Sequence, residues 1–361
     1  MVTDTIEIDG RKIGDNHAPY IIAEMSANHN GEISNAYRII DMAKGCGADA
    51  VKLQTYHPDT ITMNIRTAEF MIKGGLWDGQ SLYELYEKAF MPWDWHRPLF
   101  DHAKKIGITI FSSPFDSTAV DLLEDLNAPA YKIASFEAID IPLIRYVAQT
   151  KKPMIISTGM ANIEEIQEAI DAAKGAGCEK LAILHCVSGY PAPPEDYNLK
   201  TLADMQKKFG LVTGLSDHTI DNTTSIVSVG LGASIIEKHV TLDRNAGGPD
   251  DSFSLESAEL RSLCEKSKIA WSCVGEIDYG RKSSETGNVQ FRRSLYVAES
   301  MSCGDIITED NIKSIRPGYG LPPKYMTEII GKRINKNKAV GDSLQSGDVD
   351  GFYIAEAKAQ L

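Results

Sequence analysis

From residue 20 onward, short β-rich apolar runs alternate with amphipathic stretches of helical spacing, and the alternation repeats eight times. No other feature constrains the fold so strongly. Parallel strands need long crossovers, usually helical, and a chain built wholly of strand-then-helix units has few ways to bury both faces of its sheet. The runs are Tyr20–Ala27, Ala50–Tyr56, Ile108–Phe115, Ala130–Phe136, Met154–Met160, Leu181–Ser188, Leu211–His218 and Ser234–Thr241. Helical candidates between them include Ser34–Lys44, Trp93–Lys105, Ser117–Leu126, Ile163–Lys174 and Leu199–Phe209, with a last one over Glu256–Cys273. Eight such units closing near residue 275 predict an α/β fold, a (β/α)8 TIM barrel, whose usual size is about 250 residues. A doubly wound open sheet would carry a Gly-rich phosphate turn after its first strand, and Glu24-Met25-Ser26-Ala27-Asn28-His29-Asn30-Gly31 is not one.

Three segments fall outside the eightfold pattern. Ile6 to Ile13 reads as a hairpin with an Asp-Gly turn, capping one barrel end within residues 1–19. His57 to Ala89 is an insertion of about thirty residues between the second strand and its helix, placed where lids sit. After residue 280, a polar linker over 281–290 leads to a small β-rich domain over 291–361. Within that domain Cys303–Ile312 lines up with Val340–Val349 at an offset of 37 residues, which predicts an internal duplication.

The chain of 361 residues carries 37 Lys and Arg against 50 Asp and Glu, a net charge of −13 that argues against a nucleic-acid partner. The longest uncharged stretch, Asn222 to Ile236, is too short to span a bilayer, which needs about 20 residues. No secretory signal opens the sequence, and six scattered cysteines without CxxC spacing fit reduced thiols. Together these predict a cytoplasmic protein with no membrane partner.

In such a barrel the C-terminal ends of the strands hold the chemistry. Lys52 and Lys132 lie within strands, where an ammonium is costly to bury unless it meets an anion, a carboxylate such as Glu24 or Glu237, or a substrate carbonyl. Ser113, Ser135, Ser157, Ser188 and Ser216 add hydroxyls suited to phosphate or carboxylate oxygens. Ser216-Asp217-His218 and Glu237-Lys238-His239 end neighbouring strands, with the two histidines 21 residues apart. Two converging imidazoles with oxygen donors suit a borderline divalent cation such as Mn²⁺. The turn Gly247–Ser254 can hold a carboxylate, Asp250, over the mouth. These residues point to a lyase or synthase acting on an anionic partner and a carbonyl. A class I aldolase with Lys132 or Lys52 as Schiff-base lysine explains the lysines but leaves the histidines idle. An ice- or carbohydrate-binding role for the tail sits poorly with Lys313, Arg316, Lys324 and Lys332.

At these residues the sequence resembles the sialic acid synthase family, which joins phosphoenolpyruvate to an acetamido sugar. The motifs are Ala23-Glu24 with Asn28-His29-Asn30-Gly31, Val51-Lys52-Leu53-Gln54, Lys132-Ile133-Ala134-Ser135, Ser157-Thr158-Gly159-Met160, Ser216-Asp217-His218 and Glu237-Lys238-His239. The tail, with Arg316-Pro317-Gly318-Tyr319-Gly320, resembles the family's antifreeze-like (SAF) domain. Ile72–Gly79, Phe111–Asp116 and Phe291–Tyr296 look most like the pseudaminic-acid-forming branch, whose sugar is 2,4-diacetamido-2,4,6-trideoxy-L-altrose. The resemblance implies a divalent metal on His218 and His239, Mn²⁺ first and Mg²⁺ or Co²⁺ as alternatives. It implies phosphoenolpyruvate on Lys52, Lys132, Ser135, Ser157, Ser188 and Ser216, with Gln54 and Ser113 beside them. Glu24 or Glu137 would handle the proton of the attacking water, Tyr190 and Asp250 would meet the sugar or a metal-bound water, and Arg316 would meet the sugar. Ser188 stands where N-acetylneuraminate-forming members carry Asn. A domain-swapped homodimer is implied as well.

Overall fold

The structure is a computed structural model that describes residues 5–354. Its first element is the hairpin of β1 (Ile6–Ile8) and β2 (Arg11–Ile13), antiparallel with Ile6 opposite Ile13. Asp9 and Gly10 both have positive φ, the geometry that lets a two-residue turn follow the strand twist.

The eight runs form a closed parallel barrel: β3 (Tyr20–Glu24), β4 (Ala50–Thr55), β5 (Thr109–Pro114), β6 (Tyr131–Ile133), β7 (Met154–Ser157), β8 (Leu181–Cys186), β9 (Val212–Asp217) and β10 (Ile235–His239), with β10 pairing back onto β3. The crossovers carry α1 (Ile33–Cys46), α2 (Pro58–Ile61), α3 (Leu82–Ala89), α4 (Trp93–Ile106), α5 (Ser117–Asp125), α6 (Ile141–Ala148), α7 (Ile163–Gly175), α8 (Lys200–Phe209), α9 (Thr223–Gly230) and α10 (Ser257–Val274). Helix ends follow local chemistry. Asp116 and Asn162 cap the first-turn amides of α5 and α7, and left-handed Gly47 and Gly107 end α1 and α4. The insertion is not a bare loop: it contains α2 and α3, the latter started by a Ser81–Glu84 capping box. The last barrel helix, α10, likewise starts from a capping box, between Glu256 and Glu259.

Two apolar layers hold the barrel. Ile21, Ala23, Val51, Leu53, Ile110 and Ile236 point outward into the helices. Tyr20, Ile22, Ala50, Phe111, Ile155, Leu184 and Ile235 fill the interior, closed by Ile6, Ile8 and Ile13 of the hairpin.

The chain divides into two compact units, Met1–Gly275 and Glu276–Leu361. In the second, a 3-10 helix over Ser283–Phe291 occupies the stretch read from sequence as linker. It precedes β11 (Ser294–Val297), antiparallel to β12 (Ile312–Ile315), and α11 (Met326–Ile329). Leu295, Ile307, Ile312, Leu321, Ile334 and Leu344 form its core. The 37-residue duplication is realised as a pseudo-twofold. Asp305 Oδ2 accepts from Ser302 N at 2.7 Å, and Asp342 Oδ2 accepts from Ala339 N at 2.8 Å. Met301 and Lys338 exchange reciprocal backbone bonds across the axis, at 2.9 and 2.8 Å.

Candidate active site

Side chains alternate across a strand, so residues two apart share a face. The apolar interior layer therefore fixes what lies above it. Two residues beyond Ile22, Ala50, Phe111, Ala130, Ile155, Leu184 and Ile235 come Glu24, Lys52, Ser113, Lys132, Ser157, Cys186 and Glu237. The interior turns from hydrocarbon to charge and hydroxyl toward the C-terminal strand ends, where barrel chemistry is placed.

The centre of this layer is a buried quartet of two lysines and two carboxylates. Lys52 Nζ lies 2.8 Å from Glu24 Oε2 and 3.6 Å from Glu237 Oε1. Lys132 Nζ lies 2.9 Å from the same Glu237 Oε1, and Lys52 also donates to Ser113 Oγ at 3.1 Å. Burial raises the Glu24 carboxyl against the pull of Lys52, whereas for Glu237 the two lysines overcome burial and hold it below its ordinary value. Burial lowers Lys132, with Glu237 opposing. Such a neutral buried network is weak evidence for stability. It does place two cationic heads at the floor of an open mouth. Gln54 extends it, donating to Glu24 Oε1 at 2.9 Å and to Ser26 Oγ at 3.0 Å.

The serines form an arc beside the lysines. Ser157 and Ser216 are buried, and Ser157 Oγ has no partner. Ser135 and Ser188 lie 2.9 Å apart, Oγ to Oγ. One sequence expectation needs correction here. Ser135 and Glu137 are not on the fourth strand, since β6 ends at Ile133 and both sit on a 3-10 turn, Ser135–Ile139. Backbone pairing to β7 stops at Ile133, and the chain turns inward over the mouth. Glu137 Oε2 is buried without a partner, and burial raises its carboxyl to about 7. Gly159 explains the Ser-Thr-Gly motif. It has φ +48°, and a Cβ there would stand 2.4 Å from Ser135 Cβ and 2.7 Å from Ser188 Oγ. Gly159→Ala is expected to split the serine pair, cost about 1–3 kcal/mol of stability and raise KM for the anionic substrate. Unchanged KM in steady-state assays would contradict the role given to the pair.

His218 and His239 face one another across the mouth, ring centres 5.3 Å apart. Val187 O can only accept, so its 2.8 Å contact makes His218 Nδ1 the donor, and in the neutral ring Nε2 is then the nitrogen that keeps a lone pair. His239 Nδ1 is buried without a hydrogen bond, 3.9 Å from Asp250 Oδ2, and burial holds this imidazole well below its ordinary value, which keeps the ring neutral. Two facing imidazoles beside a carboxylate fit a divalent cation of the Mn²⁺ type, which would take His218 in its neutral form although, against burial, its neighbours, Cys186 first, raise its pKa. Among the described residues no group of three or more His, Cys, Asp and Glu is arranged as a ready ligand set.

The Asp-His and Lys-His motifs have an outward half. Lys238 is buried against Asp217 at 2.9 Å and donates to Thr219 O and Asp221 O, both at 2.7 Å. Asp217 also accepts from Ser225 Oγ at 2.5 Å. This outer strap joins β9 to β10 behind the histidines.

Asp250 is held over the mouth by Ser26 Oγ at 2.5 Å, and its carbonyl by Ser254 Oγ at 2.6 Å. Tyr190 stacks on His218 with centres 4.4 Å apart. Arg316 is exposed on the second unit, just past β12. Sequence reasoning missed Cys186, whose thiol interacts with His218 and Ser216, and Phe253, 5.2 Å from His239. The two-residue period from Leu184 pointed to Cys186; Phe253 left no periodic signal.

Fold and mouth together define a (β/α)8 barrel whose C-terminal mouth sets two buried ammonium groups beside a facing histidine pair. Residues 39–279 match the NeuB family and residues 292–350 the SAF domain, so the chain belongs to the NeuB family and is a synthase carrying a C-terminal SAF domain. It is 42% identical to a pseudaminic acid synthase of Campylobacter jejuni, over 91% of this chain and 96% of that one. It is also 42% identical to the pseudaminic acid synthase of Helicobacter pylori, over 92% and 98%. Among solved structures, the N-acetylneuraminic acid synthetase of Leptospira borgpetersenii superposes with a TM-score of 0.72 at 29% identity, covering 81% of this chain and 97% of that one. No helix among the described residues is long and apolar enough to cross a membrane.

Proposed function

We propose that this synthase condenses phosphoenolpyruvate with 2,4-diacetamido-2,4,6-trideoxy-L-altrose and water, giving pseudaminic acid and phosphate. The 42% identity to two proteins named pseudaminic acid synthase, over nine-tenths of the chain, carries the choice of sugar. The mouth supports the chemistry.

In this reading Lys52 and Lys132 present their ammonium heads to the phosphate and carboxylate of phosphoenolpyruvate, and Ser135, Ser157, Ser188 and Ser216 supply hydroxyls. The open-chain sugar enters above, its aldehyde toward the imidazoles. His218 and His239 would hold a divalent cation, which supplies Lewis-acid polarisation of the aldehyde oxygen. Carbon 3 of phosphoenolpyruvate forms a bond to the aldehyde carbon, the carbonyl π pair moves onto the aldehyde oxygen, which takes up a proton to become a hydroxyl, and positive charge is left at C2. A water oxygen bonds to C2 and gives up one proton. The C2–O bond to phosphate then breaks as the new C2 hydroxyl becomes the ketone, and its proton leaves with inorganic phosphate. Glu137, with a carboxyl near neutrality and an unpartnered oxygen, is suited to take the water's proton, and Glu24 is the alternative.

Incubation with phosphoenolpyruvate and a panel of acetamido sugars, read by mass spectrometry, tests the assignment. The expected product is pseudaminic acid, lost with chelator and restored by Mn²⁺, while borohydride leaves Lys52 and Lys132 unmodified. Full activity in chelator removes the metal, a reduced lysine adduct restores the aldolase reading, and N-acetylneuraminate as the preferred product overturns the sugar.

Arg316 is assigned to the sugar's N-acetyl carbonyl in a second copy of the chain, where a guanidinium fork suits that acceptor. Mixed dimers of Arg316→Ala and His218→Ala chains are expected to regain activity, because one site per dimer then holds both native residues. Verified heterodimers without activity would exclude the shared site.

A further inference from the structure

The mouth is polar on nearly every side, with two lysines, two glutamates and the serine arc at its floor and the imidazoles above. Against these stands one wall of carbon. It begins with Trp77, at the tip of the insertion. That tip is built as a tight loop, with Ile72 N bonded to Gln80 O at 2.9 Å and Gly79 N to Ile72 O at 3.0 Å. The indole ring centre lies 5.9 Å from that of Tyr190, and Tyr190 lies 4.4 Å from His218.

Indole and phenol each carry one polar handle, and each has a neighbour on the protein. Trp77 Nε1 donates to Pro249 O at 3.0 Å, and the Tyr190 hydroxyl interacts with the side chain of Ser135. Ring faces and edges are what remain. Each residue is half-buried, so the wall is reachable from solvent.

We infer that Trp77 and Tyr190 form an apolar wall that reads the substituent at carbon 6 of the sugar, accepting a methyl group and disfavouring a hydroxymethyl. This rests on the proposed condensation. With the aldehyde end at the imidazoles, the far end of the open-chain sugar reaches past Tyr190 toward Trp77. A methyl group there exchanges water for ring contact. A hydroxyl there loses its water and finds no partner on the ring faces, the indole N–H being already held by Pro249 O. Trp77 belongs to the insertion and not to a barrel strand, so it can be replaced without disturbing the lysine quartet or the histidines.

The test compares wild type, Trp77→Ala and Trp77→Phe on two sugars: the 6-deoxy substrate and its 6-hydroxy counterpart, 2,4-diacetamido-2,4-dideoxyaltrose. Wild type is expected to prefer the 6-deoxy sugar in kcat/KM. Trp77→Ala is expected to lose about tenfold or more with the 6-deoxy sugar but less than about threefold with the 6-hydroxy one, at unchanged KM for phosphoenolpyruvate. Trp77→Phe keeps a ring but not the N–H that holds Pro249, and should retain most of the preference. Equal losses on both sugars in Trp77→Ala, or loss of the preference in Trp77→Phe, would reduce Trp77 to a latch on the Pro249 loop and overturn the wall. A wild type that does not distinguish the sugars overturns it too. Failure of wild type to join either sugar to phosphoenolpyruvate overturns the proposed condensation itself, a result distinct from all of these.

Discussion

Lys238→Met is expected to destabilise the barrel by about 3–5 kcal/mol, because it strands a buried carboxylate. Lys238 is 1% exposed, and Asp217, also 1% exposed, has that ammonium as its counter-ion at 2.9 Å. Methionine matches the stem of lysine but supplies no charge and no donors for Thr219 O and Asp221 O, so the carboxylate and both carbonyls lose the ammonium together. Thermal unfolding should show Tm falling by on the order of 10 °C. Pairing the change with Asp217→Leu removes the stranded charge and should recover part of the loss, a coupling that a double-mutant cycle reads directly. A Tm within 2 °C of wild type for the single variant would mean that the strap does not join the strands energetically. The residues on either side of each strap member, Ser216 and His218, Glu237 and His239, face the mouth, so slackening the strap should also loosen the histidine pair.

Glu137→Gln is expected to stabilise the protein at alkaline pH while slowing the reaction. The folded carboxyl, near 7 against an ordinary 4.5, binds its proton more tightly than the unfolded chain does. Stability contributed by that proton is fully present below 4.5 and is lost as pH rises through 7. By pH 8 the penalty of the buried carboxylate approaches about 3 kcal/mol. Glutamine carries no such penalty. Denaturant melts should therefore give matching stabilities near pH 4.5 and a more stable variant at pH 8. In wild type the same ionisation should make kcat rise through about pH 7, as a carboxylate accepting a proton from water requires, and in the variant kcat should fall by about 10²–10⁴-fold. Parallel stability curves for the two proteins across this range would refute the buried, elevated carboxyl. An unchanged kcat would pass the proton to Glu24.

The barrel was legible in the sequence because its signal is local and repeated. Each strand is a short apolar run, and each crossover helix shows its own spacing. The two-residue period also exposed the site, since Lys52, Lys132, Glu237 and His239 interrupt apolar strands at the inward-facing parity. Closure of β10 onto β3 then placed their ends around one mouth. The lengths of elements were harder to read. The run through Phe136 stays apolar after the ladder stops at Ile133, so Ser135 and Glu137 looked like strand residues until the backbone showed a 3-10 turn.

Pairings across the mouth were decided only by the tertiary structure. Lys132 meets Glu237 across 105 positions of chain, and Trp77 reaches Pro249 across 172. The composition of a strand says that a buried lysine needs an anion. Which carboxylate answers depends on how far the sheet has sheared when it closes, a property of eight strands at once. The outward pair of Asp217 and Lys238 was hidden for the same reason: both lie inside motifs read for their histidines, and only the register of β9 against β10 shows them bracing one another. By itself the sequence determined which residues sit on which face of which element. The tertiary structure decided which of them meet, because contacts between distant segments follow from closure and register and not from local pattern.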